Sequence, residues 1–391
     1  VTDSGATRAN MPASAPEGVD ALRRAVAEAS RGLVERAFLA EAVVLAAVAG
    51  EHVLVVGPPG TAKSEAVRRI STALGGRMFE YLLGRFTEPQ EIFGPVDLQK
   101  LREGRVEVDT TGMLPEADIA FLDEVFLGST AILNTLLAVL NERTFRRGHT
   151  SMRCPLRVCI GASNTIPDEP ALAAFADRFL VRVFVDPVPD ANLEDLLEAS
   201  WGLRQSPPAR VADIALLAAV SEASRAVDLA PIRADFAHAL RLLRATAIVL
   251  SDRRAARAQG LVAAAAALAG RSQATRADLW PLVFAVPTLD GQNAARTALR
   301  ELLADAQNQA LPAASEQASA GPAARAARLV SAADTLLAAR PSEDDTTALE
   351  RWRSRLEGIA REIDAGFVVE SSPAALQAAR ARIVAELAPS P

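Results

Sequence analysis

Lysine is almost missing from this chain of 391 residues: Lys63 and Lys100 stand alone, and apart from three histidines every other basic side chain is arginine. Cysteine is nearly as scarce. Cys154 and Cys159 are the only two and flank a strand-like Pro-Leu-Arg-Val, which excludes a disulfide framework or a thiolate zinc site and fits a reducing compartment. His52, His149 and His238 lie far apart in sequence, so no metal constellation is visible. Aromatic residues make up 4% and the net charge is −6; both argue against a chain whose task is to hold nucleic acid by stacking and by phosphate contacts. The longest apolar run, Leu261 to Ala269, is nine residues, where a bilayer span needs about 20. The first residues lack an apolar signal core, so 1–16 read as a flexible lead-in, and a cytoplasmic chain without membrane insertion is expected.

What the chain does have is a 50% apolar composition, enough to bury the cores of two or three domains. Its most informative stretch is Val53 to Ser64, VLVVGPPGTAKS. Four apolar residues predict a fully buried parallel strand, Gly57, Pro58, Pro59 and Gly60 end it, and a helix is expected to begin near Lys63. That order suits a phosphate-binding loop, in which Gly57, Pro58, Pro59, Gly60, Thr61 and Ala62 wrap a polyphosphate at the positive end of a helix dipole. Lys63 supplies a compact charge that arginine replaces poorly, which explains a lysine in a chain that avoids it. Ser64 is the expected Mg2+ ligand. Ala62 departs from the usual glycine before the lysine and is expected to enter the helix without strain.

Downstream, Ile119 to Glu124, IAFLDE, predicts a buried strand that delivers two carboxylates at its C-terminal end, where open α/β sheets place their ligands. Asp123 is the candidate for holding Mg2+ through water, and Glu124 for polarising an attacking water. Leu156 to Ala162 predicts another strand, ending at Asn164, which either senses a phosphate or belongs to a turn. Arg178 precedes a further apolar strand, Leu180 to Val185, and either pairs with Asp177 or reaches a neighbouring subunit's nucleotide. Between these lie a strand over Arg77 to Leu83 and a long polar insertion, 84–118, with a hairpin or short helix expected in it. From Ala191 the pattern is helical. Ser251-Asp252-Arg253-Arg254 opens one helix with two arginines where cations are disfavoured, which suggests either a phosphate contact or a solvated turn. Gly291 to Leu311 reads as one helix and 312–322 as a linker. Three further helices follow, the last with Ser372 as N-cap and an end at Ala388.

The ordered set GPPGTAKS, RFTEPQEIFGP, TTGMLPEADIAFLDE, ILNTLLAVLNERTF, GASN, FADRF and SDRR resembles the MoxR branch of the AAA+ ATPases, with RavA-type (regulatory ATPase variant) proteins the nearest likeness. The resemblance covers roughly Glu17 to Thr288 and weakens after Pro287. It implies an α/β core with a parallel sheet of strand order 5-1-4-3-2 and an all-helical lid; with the alanine-rich helical stretch beyond read as a C-terminal helical module, the chain divides as 1–16, 17–187, 188–289 and 290–391. It also implies ATP hydrolysis with Mg2+: Lys63 and Ser64 in the Walker A loop, Asp123 and Glu124 in Walker B, Asn164 as sensor 1, Arg178 as a finger offered to the next subunit, and Arg253 as the lid arginine. Such proteins form hexameric rings, act as chaperone-like motors in protein remodelling or metal-cofactor insertion, and work with partners that carry a von Willebrand factor A domain. The rival expectations are a nucleotide-gated switch with negligible turnover and a DNA-directed motor.

Overall fold

The computed structural model describes residues 15–203, 207–342, 344–367 and 373–387. The flexible lead-in expected over 1–16 lies outside them except for its last two residues, which already belong to a helix, α1 (Ala15–Ser30). The Ser372 cap and the Ala388 end also lie outside; the last helix begins at Ala374.

Five parallel strands form the central sheet: β1 (Val53–Val56), β2 (Met78–Leu82), β3 (Ile119–Asp123), β4 (Val158–Ser163) and β5 (Val181–Phe184). Their order is β2-β3-β4-β1-β5, the expected 5-1-4-3-2 arrangement read from the other edge. β1 is wholly buried between β4 and β5, with Val53 opposite both Ile160 and Val181. Strands covered on both faces have no reason to alternate, which is why contiguous apolar runs marked them. Edge strand β2 is only partly covered and mixes Glu80 and Tyr81 with Phe79.

Around the sheet lie α2 (Ala37–Ala49), α3 (Lys63–Leu74) and α4 (Thr130–Glu142). In the insertion, Glu88 and Glu91 form a reciprocal capping box around Pro89, which starts the short helix Pro89–Phe93. A second short helix, Leu98–Arg102, and an isolated bridge between Val96 and Val108 complete it. Gly94 is required there, since a Cβ would stand 1.9 Å from the Asp109 carbonyl oxygen. Not foreseen is an antiparallel hairpin, Thr144–Arg147 with Thr150–Arg153, which follows α4 directly.

The chain separates into two compact units whose limits differ from the expected division. The larger joins the sheet to 207–319 and includes α5 (Ile214–Arg225), α6 (Arg233–Ala245), α7 (Asp252–Leu268), α8 (Leu289–Ala298) and α9 (Pro312–Ser319). The smaller gathers 32–35, 187–206 and 320–391 around a core of Leu329, Leu336, Trp352, Leu356, Ile359 and Ile383. Thus Leu193–Leu203, expected in the lid, belongs to the smaller unit, and 290–319, expected in the C-terminal module, belongs to the larger. The stretch read as one helix ends at Ala298, and α9 occupies what reads as a linker. Its small residues pack on α2, and the buried Glu41 of α2 accepts from the Ala314 N–H at 2.6 Å.

Two outcomes test this packing. Ala62 does not enter α3; it sits at the N-cap with φ 59°, in the left-handed region. A β-carbon there costs about 1–2 kcal/mol, against roughly 0.5–1 kcal/mol for the extra unfolded-state freedom of glycine. Ala62→Gly is therefore expected to raise the unfolding free energy by roughly 0.5–1 kcal/mol, read from denaturant midpoints. Burial pushes Glu41 up from 4.5 to about 7 despite the backbone N–H groups of Ala314 and Ala313. Between those values the folded chain keeps a proton that the unfolded chain has released, so this contribution is lost as pH rises from about 4.5 through 7. Glu41→Gln should match the native chain near pH 5 and exceed it by roughly 2–3 kcal/mol at pH 8; a pH-independent difference would assign Glu41 no titrating role.

Candidate nucleotide site

The site forms where β1 stops. The Gly57 N–H donates to the Ser163 carbonyl at 3.1 Å, and a Cβ on Gly57 would lie 2.2 Å from the Val185 carbonyl oxygen, so only glycine passes between β4 and β5. Gly60 has φ 79° in open space, where glycine is needed for its backbone alone. Thr61 Oγ1 donates to the Pro58 carbonyl at 2.9 Å and closes the loop internally. The chain then enters the 12-residue α3, whose first N–H groups have no helical partners.

Lys63 is buried and lies back across this loop. Its Nζ donates to the Gly57 carbonyl at 2.6 Å and the Pro58 carbonyl at 3.0 Å, and reaches Asn164 Oδ1 at 3.5 Å. Burial lowers its pKa, and the carboxylates of Asp123 and Glu124 oppose that shift. On the other side Asn164 Nδ2 donates to Glu124 Oε1 at 2.8 Å. Asn164 therefore joins the cation of the loop to the carboxylate at the end of β3. Glu124 has φ 48°, a left-handed turn that starts the short helix Val125–Leu127. Ser64 Oγ donates to Asp123 Oδ2 at 3.4 Å. Helix N–H groups, an ammonium, a hydroxyl and two carboxylates within hydrogen-bond range make a donor set that fits a polyphosphate with Mg2+, and the oxygen ligands are the hard type that ion takes.

Arg36 was missed. Its Nε donates to the Thr61 carbonyl at 2.8 Å and its NH2 to the Asp186 carbonyl at 2.6 Å, tying the loop to the residues after β5. A single arginine ahead of the apolar α2 carries no motif, and its burial at 4% exposure is the only signal.

Arg178 and Arg253 are not brought to this loop. Arg178 lies ahead of β5, at the end of the sheet where β1 begins; across the four residues of β1, at about 3.3 Å each, the phosphate loop is at the other end. Asp177 does not pair with Arg178 but with Arg254, at 2.9 Å. Among the described residues Arg178 makes no ion pair, and its Nε is buried without a hydrogen-bond partner. Arg253 donates to Asn141 Oδ1 at 2.8 Å, next to Leu140, whose carbonyl is 3.0 Å from Nε2 of His52 just ahead of β1. Burial, and then the nearby Arg178, hold Arg253 below the ordinary arginine range. Of the two arginines at the start of α7, Arg253 thus faces helix α4 and Arg254 the turn before β5, away from the phosphate loop.

Comparison with known proteins agrees with this geometry. Residues 20–222, just over half of the chain, match the family model described as the MoxR domain in the MoxR-vWA-beta-propeller ternary systems, and residues 229–289 match an AAA lid domain. Two uncharacterised proteins of Methanocaldococcus jannaschii, MJ0812 and MJ0079, are each 36% identical over 59% of this chain, which spans 62% and 61% of their lengths. The chaperone MoxR1 of Mycobacterium tuberculosis is 30% identical over 45% of this chain and 47% of its own length. A solved structure from Cytophaga hutchinsonii superposes with a TM-score of 0.60 over 76% of this chain and 97% of that one; at 14% identity it speaks to the fold alone. Phosphate loop, carboxylate pair, strand order and lid all agree with the match: the chain belongs to the MoxR family of AAA+ ATPases.

Proposed function

We propose that this chain binds ATP with Mg2+ and hydrolyses it in a head-to-tail ring of its own copies, six in number, and that the cycle remodels a partner protein or assists insertion of a metal cofactor. The partner we assign carries a von Willebrand factor A domain, within a system that also includes a β-propeller, because the matching family model is described by those components. The observation that carries the hydrolytic part is Asn164, bonded to Glu124 at 2.8 Å and facing Lys63 at 3.5 Å. A pure binding switch needs the lysine but not a carboxylate held in register with it.

Each side chain has a task. Lys63 and the first N–H groups of α3 bind phosphate oxygens. Ser64 and Asp123 would hold Mg2+, Asp123 through water, and the ion supplies neutralisation of polyphosphate charge when bound. Glu124 orients and polarises the attacking water, and Asn164 keeps its carboxylate from swinging away. Arg178, at the far end of its own sheet and without an ion-pair partner among the described residues, serves the site of the neighbouring copy, where a guanidinium stabilises charge on the transferred phosphoryl group.

Lys63→Ala should abolish binding of a labelled ATP analogue, whereas Glu124→Gln should bind it normally and lose roughly 10²–10⁴ in turnover. Tight binding by Lys63→Ala would remove the phosphate-loop assignment, and full turnover by Glu124→Gln would remove the base. Arg178→Ala should bind ATP normally and turn over about 10³–10⁵ more slowly. Mixed with Lys63→Ala it should regain activity, since some interfaces then pair an intact loop with an intact finger. A dead mixture, with subunit exchange demonstrated by differently labelled chains, would end the in-trans role.

A further inference from the structure

The turn that carries Arg178 is held by an arginine the proposed reaction does not use. Arg254, in the first turn of α7 and 4% exposed, donates from NH1 to Asp177 Oδ1 at 2.9 Å and to the Asp177 and Phe179 carbonyls at 3.4 Å. From NH2 it donates to the Leu180 carbonyl at 2.7 Å and the Ala285 carbonyl at 2.8 Å, and from Nε to Ala285 again at 3.0 Å. The carbonyls of the residues on both sides of Arg178 therefore end on one guanidinium. A second buried arginine, Arg182 on β5, donates from NH2 to the Ala176 carbonyl. Phe175 and Phe179 anchor the same turn from below, their rings 5.7 Å apart and edge-on, and Phe179 meets the His52 ring at 6.3 Å.

This is an expensive way to dock a helix. Arg182 leaves Nε and NH1 buried without hydrogen-bond partners among the described residues, and an unsatisfied buried donor carries an uncompensated desolvation cost. Buried ion pairs can often be exchanged for apolar residues of similar volume without loss of stability, so retention of two buried guanidinia favours a need for conformational definition over one for binding energy. Arg257, one turn along α7, already ties the helix to the core through Glu51. Arg254 therefore adds less to attachment than to the fixed shape of residues 176–180.

We propose that Arg254 is a positioning residue for Arg178: the lid helix grips the finger turn from both sides, so the pose of α7 in one copy sets the guanidinium offered to its neighbour. This rests on the in-trans role of Arg178 stated above. Loss of the grip misplaces the finger without touching the phosphate loop of the same chain, and a misplacement of 1 Å can cost about 10²-fold in rate.

The experiment uses full-length variants, a labelled ATP analogue for binding, and ATP turnover alone and in pairwise mixtures whose subunit exchange is verified. Arg254→Lys keeps the charge but loses the fork. It should bind the analogue within about twofold of the native chain and turn over roughly 10²-fold more slowly. Mixed with Lys63→Ala, which brings an intact finger, it should recover; mixed with Arg178→Ala, which needs one, it should stay inactive. Recovery with Arg178→Ala, or no loss of turnover, overturns the proposal, because a defect confined to the variant's own site gives the first result and a purely structural arginine the second. Asp177→Asn, at a partly exposed side chain, removes the charge from the same grip and should show the same pattern with a smaller loss, and it decides the matter if Arg254→Lys does not fold. The mixture of Lys63→Ala with Arg178→Ala is the control: its failure removes the in-trans reading itself, whereas its success beside a reversed Arg254 pattern removes only the grip.

Discussion

Everything at the phosphate end depends on one close approach, the Gly57 backbone against the Val185 carbonyl oxygen, with no room for a Cβ at 2.2 Å. Because β1 is the strand enclosed between β4 and β5, its continuation must leave the sheet between them, and only glycine fits through. The Gly57 N–H still bonds Ser163, so the residue after Ser163, Asn164, starts beside the loop. The contact between Asn164 and Lys63 is then a consequence of strand register more than of any affinity between the two side chains. Arg36 closes the same junction from outside by bonding the carbonyls of Thr61 and Asp186.

Much of this was legible because buried parallel strands and phosphate loops are written in contiguous residues. All five expected strands lie within a residue or two of their places, and Lys63, Ser64, Asp123, Glu124 and Asn164 do converge. What failed depended on partners distant in sequence. The hairpin at 144–153 has only Phe145 fully buried, stacked on Phe93 at 5.4 Å, and is held partly by Thr150 accepting from the Val108 N–H. No alternation could announce it. α9 has the composition of a linker, and it is a helix because Glu41, some 270 residues earlier, accepts from its first turn. The helix read over 291–311 ends at Ala298, and further on Asn308 turns the chain by accepting from the N–H groups of Ala310 and Leu311 while donating to the Ala265 carbonyl.

Ala62 shows how a one-letter departure from a motif can mislead when judged by propensity. Alanine favours a helix, yet this position is not helical: the loop must turn left-handed before Lys63, and it does so at φ 59° with a β-carbon present. The position after Asp123 repeats the device, Glu124 taking φ 48° to turn its carboxylate out of the strand. Two side-chain-bearing residues in left-handed conformations thus flank the region where phosphate and water would meet. Strain of this kind persists only where surrounding structure over-determines it, and here the enclosing strands do.

The distribution of charge along the sheet gives the proposed ring its physical basis. Lysine, hydroxyl, amide and both carboxylates occupy the end where β1 finishes; Arg178, Arg253, Arg254 and Arg257 occupy the end where it begins, on Asn141, Glu51 and the turn 177–180. A chain cannot bend its own β1 to bring those ends together, since that strand is fixed on both sides by backbone pairing. If the guanidinium of Arg178 is to meet developing phosphoryl charge, it does so in another copy, with its arginine end against that copy's phosphate end. Such an interface pairs two different surfaces and so is heterologous; repeated, it closes into a ring or runs on as a filament, and it cannot stop at a two-fold dimer. The in-trans chemistry and the ring are therefore one proposal, and a stable isologous dimer as the hydrolytic species would contradict both.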